Sequence, residues 1–127
     1  MILLNQWFDR RDTRKNRYEI YRKHCYKAKE AADYYLLKVS ELYSAMSRME
    51  YSVSVIEFLT KVYNEVTPYR LQSVAYILAE ADNYHTFMGL DFYADLVTRV
   101  EELSVAAGRA REAVEFADYL MNYEEEE

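Results

Sequence analysis

The sequence predicts an all-α fold, an antiparallel four-helix bundle with an apolar N-terminal arm. The 127 residues include only two Gly and one Pro, so the residues that shape tight turns are scarce. Apolar side chains recur at alternating steps of three and four, which is the spacing of a helix that buries one face. A chain of this length forms a single domain around one modest core.

The first helix is expected to begin near residue 13, where Asp12 or Thr13 can cap it. Its buried face follows a heptad spacing of the coiled-coil type, and we call such a row of positions a seam. The seam runs to Thr67 and Pro68, which end it. Its predicted members are Tyr18, Tyr21, Cys25, Ala28, Ala32, Tyr35, Val39, Leu42, Met46, Met49, Val53, Ile56, Thr60 and Tyr63.

Helix propensity is poor between Tyr51 and Val55, where Ser and Val alternate, so a break is expected near residues 49–52. The broken chain folds up, down, up, down in four segments, 13–49, 52–66, 68–88 and 91–122. The alternative is a three-helix coiled-coil arrangement whose first helix, 13–66, is unbroken and about 80 Å long. The four-helix version is favoured, because so long a helix leaves much of its seam uncovered.

Two further helices follow. Thr67 and Pro68 suit the N-cap and first position of the third helix, Gly89 suits its C-terminal cap, and Asp91 opens the last helix. The Ala-rich stretch 106–117, with Gly108 inside it, should let a partner helix approach closely. The third seam contains Leu71, Val74, Leu78, Ala81, His85 and Met88; the fourth contains Tyr93, Leu96, Val100, Leu103, Ala107, Ala110, Val114, Ala117 and Met121.

The predicted bundle, 13–123, lies between an apolar and basic arm, 1–12, and an acidic tail, 124–127. The arm lies outside the seam, so its apolar side chains need cover from the same bundle or from a neighbour. We expect them to mediate self-association, with a short helix closing one end of the bundle as the alternative. These side chains are Ile2, Leu3, Leu4, Trp7 and Phe8.

Tyrosine is unusually common, with 14 residues, and its positions divide into two groups. Tyrosines on the seam are expected in the core, with their hydroxyls at the bundle edge. Tyrosines off the seam favour an interface, because a tyrosine buries much area at little entropic cost; the alternative is a domain that uses Tyr for bulk. The off-seam group contains Tyr26, Tyr34, Tyr51 and Tyr69.

Charge is distributed unevenly. Residues 10–29, the basic segment, carry nine basic and two acidic residues, a local net charge of +7 within a chain of net charge -6, which leaves -13 elsewhere. This segment could pair with the acidic C-terminus in the same or another subunit, or bind nucleic acid or an acidic protein surface. The residues proposed for such contacts are Arg10, Arg11, Arg14, Lys15, Arg17, Arg22 and Lys23.

No catalytic or metal-binding motif is apparent, so we predict no enzyme and no cofactor. Asp82 and His85 lie three residues apart, but His24 has Tyr21 at the matching position, so the carboxylate and histidine pattern of dinuclear sites is incomplete. The apolar runs are too short for a membrane span or a signal peptide, which predicts an unsecreted, soluble protein. Cys25 stands alone and is expected to be a buried thiol, with an intermolecular disulfide as the alternative.

Segments 34–47 and 51–66 are rich in Tyr, Val, Leu and Glu and poor in Gly. In this composition the chain resembles small helical-bundle proteins from viruses of heat-loving archaea. The resemblance implies a coat or virion component, located in the virion or the host cytoplasm, and it transfers no functional residue. The expected function is therefore a non-enzymatic, self-associating structural protein. The alternative is a small regulator or inhibitor that binds protein or nucleic acid through its charged faces.

Overall fold

The fold was obtained as a computed structural model that describes the backbone of residues 2–80 and 90–126, and the side chains of residues 19, 20, 22–77 and 94–123. All regular structure in these ranges is helical and no strand occurs there, which confirms the all-α prediction. The elements are α1 (Ile2–Met46), α2 (Val53–Val66), a π-helical turn (Arg70–Val74), α3 (Ala75–Glu80) and α4 (Leu90–Glu126).

The helix break lies where the Ser and Val residues predicted it. α1 ends at Met46, and the chain turns through residues 47–52 before α2 begins. Ser52 caps α2, because its hydroxyl accepts a hydrogen bond from the Val55 amide at 3.4 Å. The continuous 13–66 helix of the alternative arrangement is therefore wrong. The start of α1 also differs from the expectation, since the helix begins at Ile2 rather than near residue 13.

The predicted seam is confirmed from Cys25 to Leu42 and is only partly right after the break. From Cys25 to Leu42 every seam position is buried. Beyond the break Met49 is 99% exposed and Val53 is 76% exposed, whereas Ile56, Thr60 and Tyr63 are half-buried. The residues of α2 that are buried instead are Val55, Leu59, Val62 and Val66. A heptad count cannot pass through six non-helical residues, because the turn resets the rotation of the next helix about its axis.

The third and fourth seams have mixed outcomes. Leu71 is 82% exposed, while Val74 and Ile77 are buried. The remaining predicted residues of the third seam, together with Gly89, lie outside the described side chains, as do Tyr18, Tyr21 and Tyr93. The fourth seam is confirmed by five buried residues, Leu96, Leu103, Ala107, Ala110 and Ala117, with Val100, Val114 and Met121 half-buried.

The first and last helices run in the same direction. Arg111 of α4 donates a hydrogen bond to the Tyr34 hydroxyl of α1 at 3.2 Å. Further along the chain, Arg48, just past the end of α1, lies 3.5 Å from the Asp118 carboxylate of α4. Because both residue numbers increase together, α1 and α4 are parallel neighbours.

The chain between them runs in the opposite direction throughout. Phe58 contacts Phe116 with ring centroids 5.6 Å apart, whereas Ser73, further along the chain, donates to Glu102 at 3.0 Å. Residues 53–80 therefore descend along α4 without reversing after Pro68. The predicted four-helix count and the up, down, up, down order are not confirmed.

Small side chains line the contact between the long helices. Ala28 and Ala32 of α1 are fully buried in the same core as the alanines of α4. Such residues let helix backbones approach closely, as the Ala-rich stretch predicted. Gly108 does not take part, because a Cβ atom built there meets no described atom within 4 Å. The buried alanines of α4 are Ala106, Ala107, Ala110, Ala113 and Ala117.

Tyr35 occupies the irregular step between α2 and the π-helical turn. Its fully buried hydroxyl donates a hydrogen bond to the backbone carbonyl of Val66. In a regular helix that carbonyl would accept from the amide of Arg70, which here donates to Thr67 at 2.9 Å. A side chain inserted into the hydrogen-bond ladder is a recognised cause of helix irregularity. The hydroxyl of Tyr35, on α1, thus supplies a donor to the Val66 carbonyl, whose regular partner bonds elsewhere.

The buried phenol predicts a loss of stability in alkali. Burial raises the pKa of Tyr35 to about 12 from its ordinary value of 10.0, more than the nearby Arg70 amide lowers it. The unfolded chain loses this proton near pH 10 while the folded chain keeps it, so stability falls as pH rises from 10 to 12. In Tyr35→Phe the free energy of unfolding should fall by roughly 2 kcal/mol less between pH 10 and pH 12 than in the wild type. Urea unfolding followed by circular dichroism measures this difference.

The matched control is Tyr43→Phe, which removes a hydroxyl from a ring that is 59% exposed. It should keep the wild-type pH profile. At neutral pH, Tyr35→Phe should cost about 1–2 kcal/mol, because the Val66 carbonyl loses its donor. An alkaline profile in Tyr35→Phe as steep as that of the wild type would contradict the assignment.

Candidate interaction surfaces

The arm is part of α1 rather than a separate segment. Residues 2–12 continue the helix without a break, and the side chains of Ile2, Leu3, Leu4, Trp7 and Phe8 lie outside the described ones. Tyr34 of α1 and Arg111 of α4 lie at the same level of the bundle, because they are hydrogen-bonded. α4 begins at Leu90, 21 residues before Arg111, and the same number of residues before Tyr34 leads to about residue 13 of α1. The arm therefore extends roughly 16 Å beyond the start of α4.

The basic segment also lies on α1. Arg22 and Lys23 are exposed, and the guanidinium of Arg22 lies over the Tyr26 ring, 5.6 Å from its centroid. Burial and the charge of Lys27 lower the pKa of His24 from 6.5. The side chains of the other predicted contact residues, Arg10, Arg11, Arg14, Lys15 and Arg17, are outside the described ones.

The parallel packing separates the basic segment from the acidic C-terminus. Asp118 lies beside Arg48, at the end of α1, and α4 continues beyond it to Glu126. Lys29, the last residue of the basic segment, precedes Arg48 by 19 positions of the sequence. At 1.5 Å per helical residue, Lys29 and Glu124 are roughly 35 Å apart along the bundle. Since this exceeds the Debye length at physiological salt, the tail does not neutralise the basic segment of its own chain.

Large aromatic side chains are exposed near the C-terminal end of α4. Phe116, Tyr119 and Tyr123 are 49%, 63% and 51% exposed and follow the helical spacing of three and four. Phe58 of α2, 37% exposed, packs edge-on against Phe116. Tyr119 and Tyr123 stack with centroids 6.5 Å apart. We call these four residues the aromatic face.

A shallow groove runs between α2 and α4 along the aromatic face. Its floor is apolar, formed by Phe58, Val62, Ala113 and Phe116. Its rim on α4 is charged, formed by Arg109, Glu112 and Glu115. The guanidinium of Arg109 is paired with Glu65 of α2, and that of Arg111 lies 3.8 Å from the Glu115 carboxylate. The charges of these two pairs cancel, so Glu112 gives the rim its net negative charge. The groove thus combines an apolar floor with an acidic edge.

A second pocket, of about 300 Å³, lies beside the π-helical turn. Tyr69, Thr98 and Glu101 contribute to its walls. The neighbouring carboxylate of Glu102 accepts from the buried hydroxyl of Ser73, so it ties the turn to α4. Among the described residues no group of His, Cys, Asp and Glu is arranged to hold a metal ion. Asp82 and His85 lie outside those residues.

The off-seam tyrosines have different environments. Tyr26 and Tyr34 are 46% and 40% exposed and Tyr69 is half-buried, so an interface role stays a prediction for these three. The prediction is wrong for Tyr51, which is only 6% exposed. Tyr51 lies in the turn after α1, so its burial could not be predicted from the spacing of a helical seam.

Tyr51 forms a polar cluster that the sequence did not indicate. Its hydroxyl donates to the Asp118 carboxylate and accepts a hydrogen bond from Arg48 at 3.1 Å. Burial and the Asp118 carboxylate raise the pKa of Tyr51, and hydrogen bonding to this phenol raises the pKa of Arg48. Asp118 lies 67 residues from Tyr51 in the sequence, so no local pattern could bring it together with Arg48 and Tyr51. Together they fasten the turn between α1 and α2 to α4.

The comparisons with known proteins give no family. No family model, no curated protein and no solved structure matches the chain. Among the described helices none is both long enough and apolar enough to cross a membrane. The function must therefore be argued from the surfaces themselves.

The polar cluster predicts coupled stability effects. Tyr51→Phe should lower the free energy of unfolding by about 1–2 kcal/mol, because a buried ring loses a hydrogen bond to a charged group. Asp118→Ala should lower the free energy of unfolding less in the Tyr51→Phe background than in the wild type, since the hydrogen bond between Tyr51 and Asp118 is already lost there. Urea unfolding of the four proteins gives the coupling. Tyr119→Phe, a change on an exposed ring, should alter stability by less than about 0.5 kcal/mol; strictly additive costs would argue against the cluster.

Proposed function

We propose that the protein is a non-enzymatic assembly protein that self-associates through its arm and its exposed aromatic side chains. The observation that carries the proposal is the aromatic face. Single exposed apolar residues are common on protein surfaces, but four adjacent aromatic rings, 37–63% exposed, form a contiguous patch. Patches of this kind are characteristic of interaction sites, and Tyr and Phe are enriched there.

The arm supports the same proposal. The helical turns that carry its apolar residues extend beyond the start of α4. A helical projection rich in Leu, Trp and Phe gains stability when a neighbouring subunit buries it, by about 25 cal/mol per Å² of apolar surface. The projecting arm and the aromatic face therefore both favour an oligomer.

The bundle proposed as the assembly unit has three passes, up along α1, down along residues 53–80 and up along α4. Its place in a virion or coat, and its location in a virion or a host cytoplasm, are proposed from the compositional resemblance to viral helical-bundle proteins alone. Self-association is argued independently of that resemblance.

Removal of the arm tests the proposal. Deleting residues 1–8 should abolish a concentration-dependent oligomer while leaving the helical signal per residue nearly unchanged, because the deletion removes contacts between subunits and not the core. Light scattering gives the mass, and circular dichroism gives the helicity.

The matched control keeps the length of the arm and changes only polar positions, Asn5→Ser and Gln6→Ser. This variant should associate as the wild type does. A wild-type mass equal to one chain at every concentration, or an oligomer that survives the deletion, would contradict the proposal.

The second candidate function is nucleic-acid binding by the basic segment. The parallel packing of α1 and α4 favours it, because the acidic tail lies at the other end of the same molecule and leaves the local charge of +7 uncompensated by that tail. Exposed Arg and Lys side chains on a helix can contact phosphate groups, with an affinity that falls steeply with salt.

Charge reversal tests this candidate. Changing Arg10, Arg11, Arg14 and Arg17 to Glu should remove retention on a DNA column at low salt, since each lost phosphate contact weakens binding. As a control, Glu112 and Glu115 are changed to Lys in the same charge-reversed protein, which adds positive charge on α4. This addition should not restore DNA binding. Absence of wild-type binding at low salt would eliminate nucleic acid as a partner.

A further inference from the structure

We propose that assembly is head-to-tail: the arm of one copy occupies the groove between α2 and α4 of the next copy. The inference rests on the proposed self-association and adds to it the receptor for the arm. The proposed occupant of the groove is thus residues 2–14 of a second copy of this chain.

The groove and the arm match in chemistry. The floor of the groove is aromatic and aliphatic, and Phe58 and Phe116, which meet edge-on, remain 37% and 49% exposed. The arm supplies apolar residues at helical spacing, with Leu3 and Trp7 four positions apart, as are Leu4 and Phe8. A helix that places such residues in an apolar groove is a common mode of recognition.

The two surfaces also match in charge. The arm leads directly into Arg10, Arg11 and Arg14. The groove has Glu112 and Glu115 on its rim, and Glu124–Glu127 follow on the same chain. An apolar segment flanked by basic residues therefore meets an apolar floor flanked by acidic ones. Opposite charges at the rim guide the orientation in which the arm docks.

An arm cannot reach the groove of its own chain. α1 is continuous from Ile2 to Met46, so the arm cannot fold back. Phe116 lies between the levels of Tyr34 and Arg48, judged from their partners Arg111 and Asp118. At 1.5 Å per residue this is more than about 40 Å from Phe8. The groove must be occupied by another molecule's arm.

This placement determines the kind of assembly. Each copy offers an arm at one end and a groove at the other, so the contact joins two different surfaces. Heterologous contacts of this kind generate rings when the rotation closes and open filaments when it does not. An arm that paired with another arm would instead stop at a symmetric dimer.

Mixing two defective variants tests the inference. The first lacks residues 1–8 and keeps its groove. The second keeps its arm and carries Glu115→Arg and Tyr119→Arg, two exposed changes that repel a basic arm without touching the core. Each variant alone should be a monomer, with self-association weakened at least about tenfold. An equimolar mixture should form a dimer of one copy of each and grow no further, because the remaining arm and groove are both defective.

The matched control for the groove is Glu41→Arg and Tyr43→Arg, the same two substitutions on exposed positions of α1. It should assemble as the wild type does. Sedimentation velocity distinguishes the outcomes. If the wild type assembles and the deletion variant is a monomer, but the mixture contains only monomers, the head-to-tail contact is overturned. Self-association itself would then still stand. A monomeric wild type would overturn both.

Discussion

The close parallel packing of α1 against α4 is the constraint on which the rest of the molecule depends. Alanines on both helices remove the side chains that would hold the backbones apart. The contacts from Tyr34 to Arg111 and from Arg48 to Asp118 then keep the two helices in register. Because the helices share a direction, the first turns of the chain and its last turns lie at opposite ends. The asymmetry of charge and of exposed apolar surface follows from this one arrangement.

A second constraint decides how the middle of the chain passes between these helices. Thr67 and Pro68 predict the start of a new helix that reverses direction, and the prediction of four segments depended on this interpretation. The backbone instead continues through a π-helical turn, and the hydroxyl of Tyr35 donates to the Val66 carbonyl just before that turn. A local irregularity of the helix thus stands where a turn was predicted, and a side chain of α1 contacts it.

Sequence periodicity could predict the helices, the break and most of the core, since these depend on residues close together in the chain. It was only partly right after the break, where the rotation of α2 is set by its packing and not by the count from α1. It also failed for Tyr51, whose burial depends on Asp118, 67 residues away. The aromatic face could have been found from the spacing of Phe116, Tyr119 and Tyr123, a second row of apolar residues beside the fourth seam. Phe58 could not, because its place beside Phe116 exists only in the folded chain.

Cys25 gives the packing of α1 a chemical consequence. Its side chain is 1% exposed, within the core that α1 shares with α4. An alkylating reagent reaches that sulfur only when this part of the helix lifts from its neighbours. The rate of thiol modification therefore reports how often the interior opens, and comparing it between dilute and assembled protein reveals whether neighbours in an oligomer hold the bundle shut.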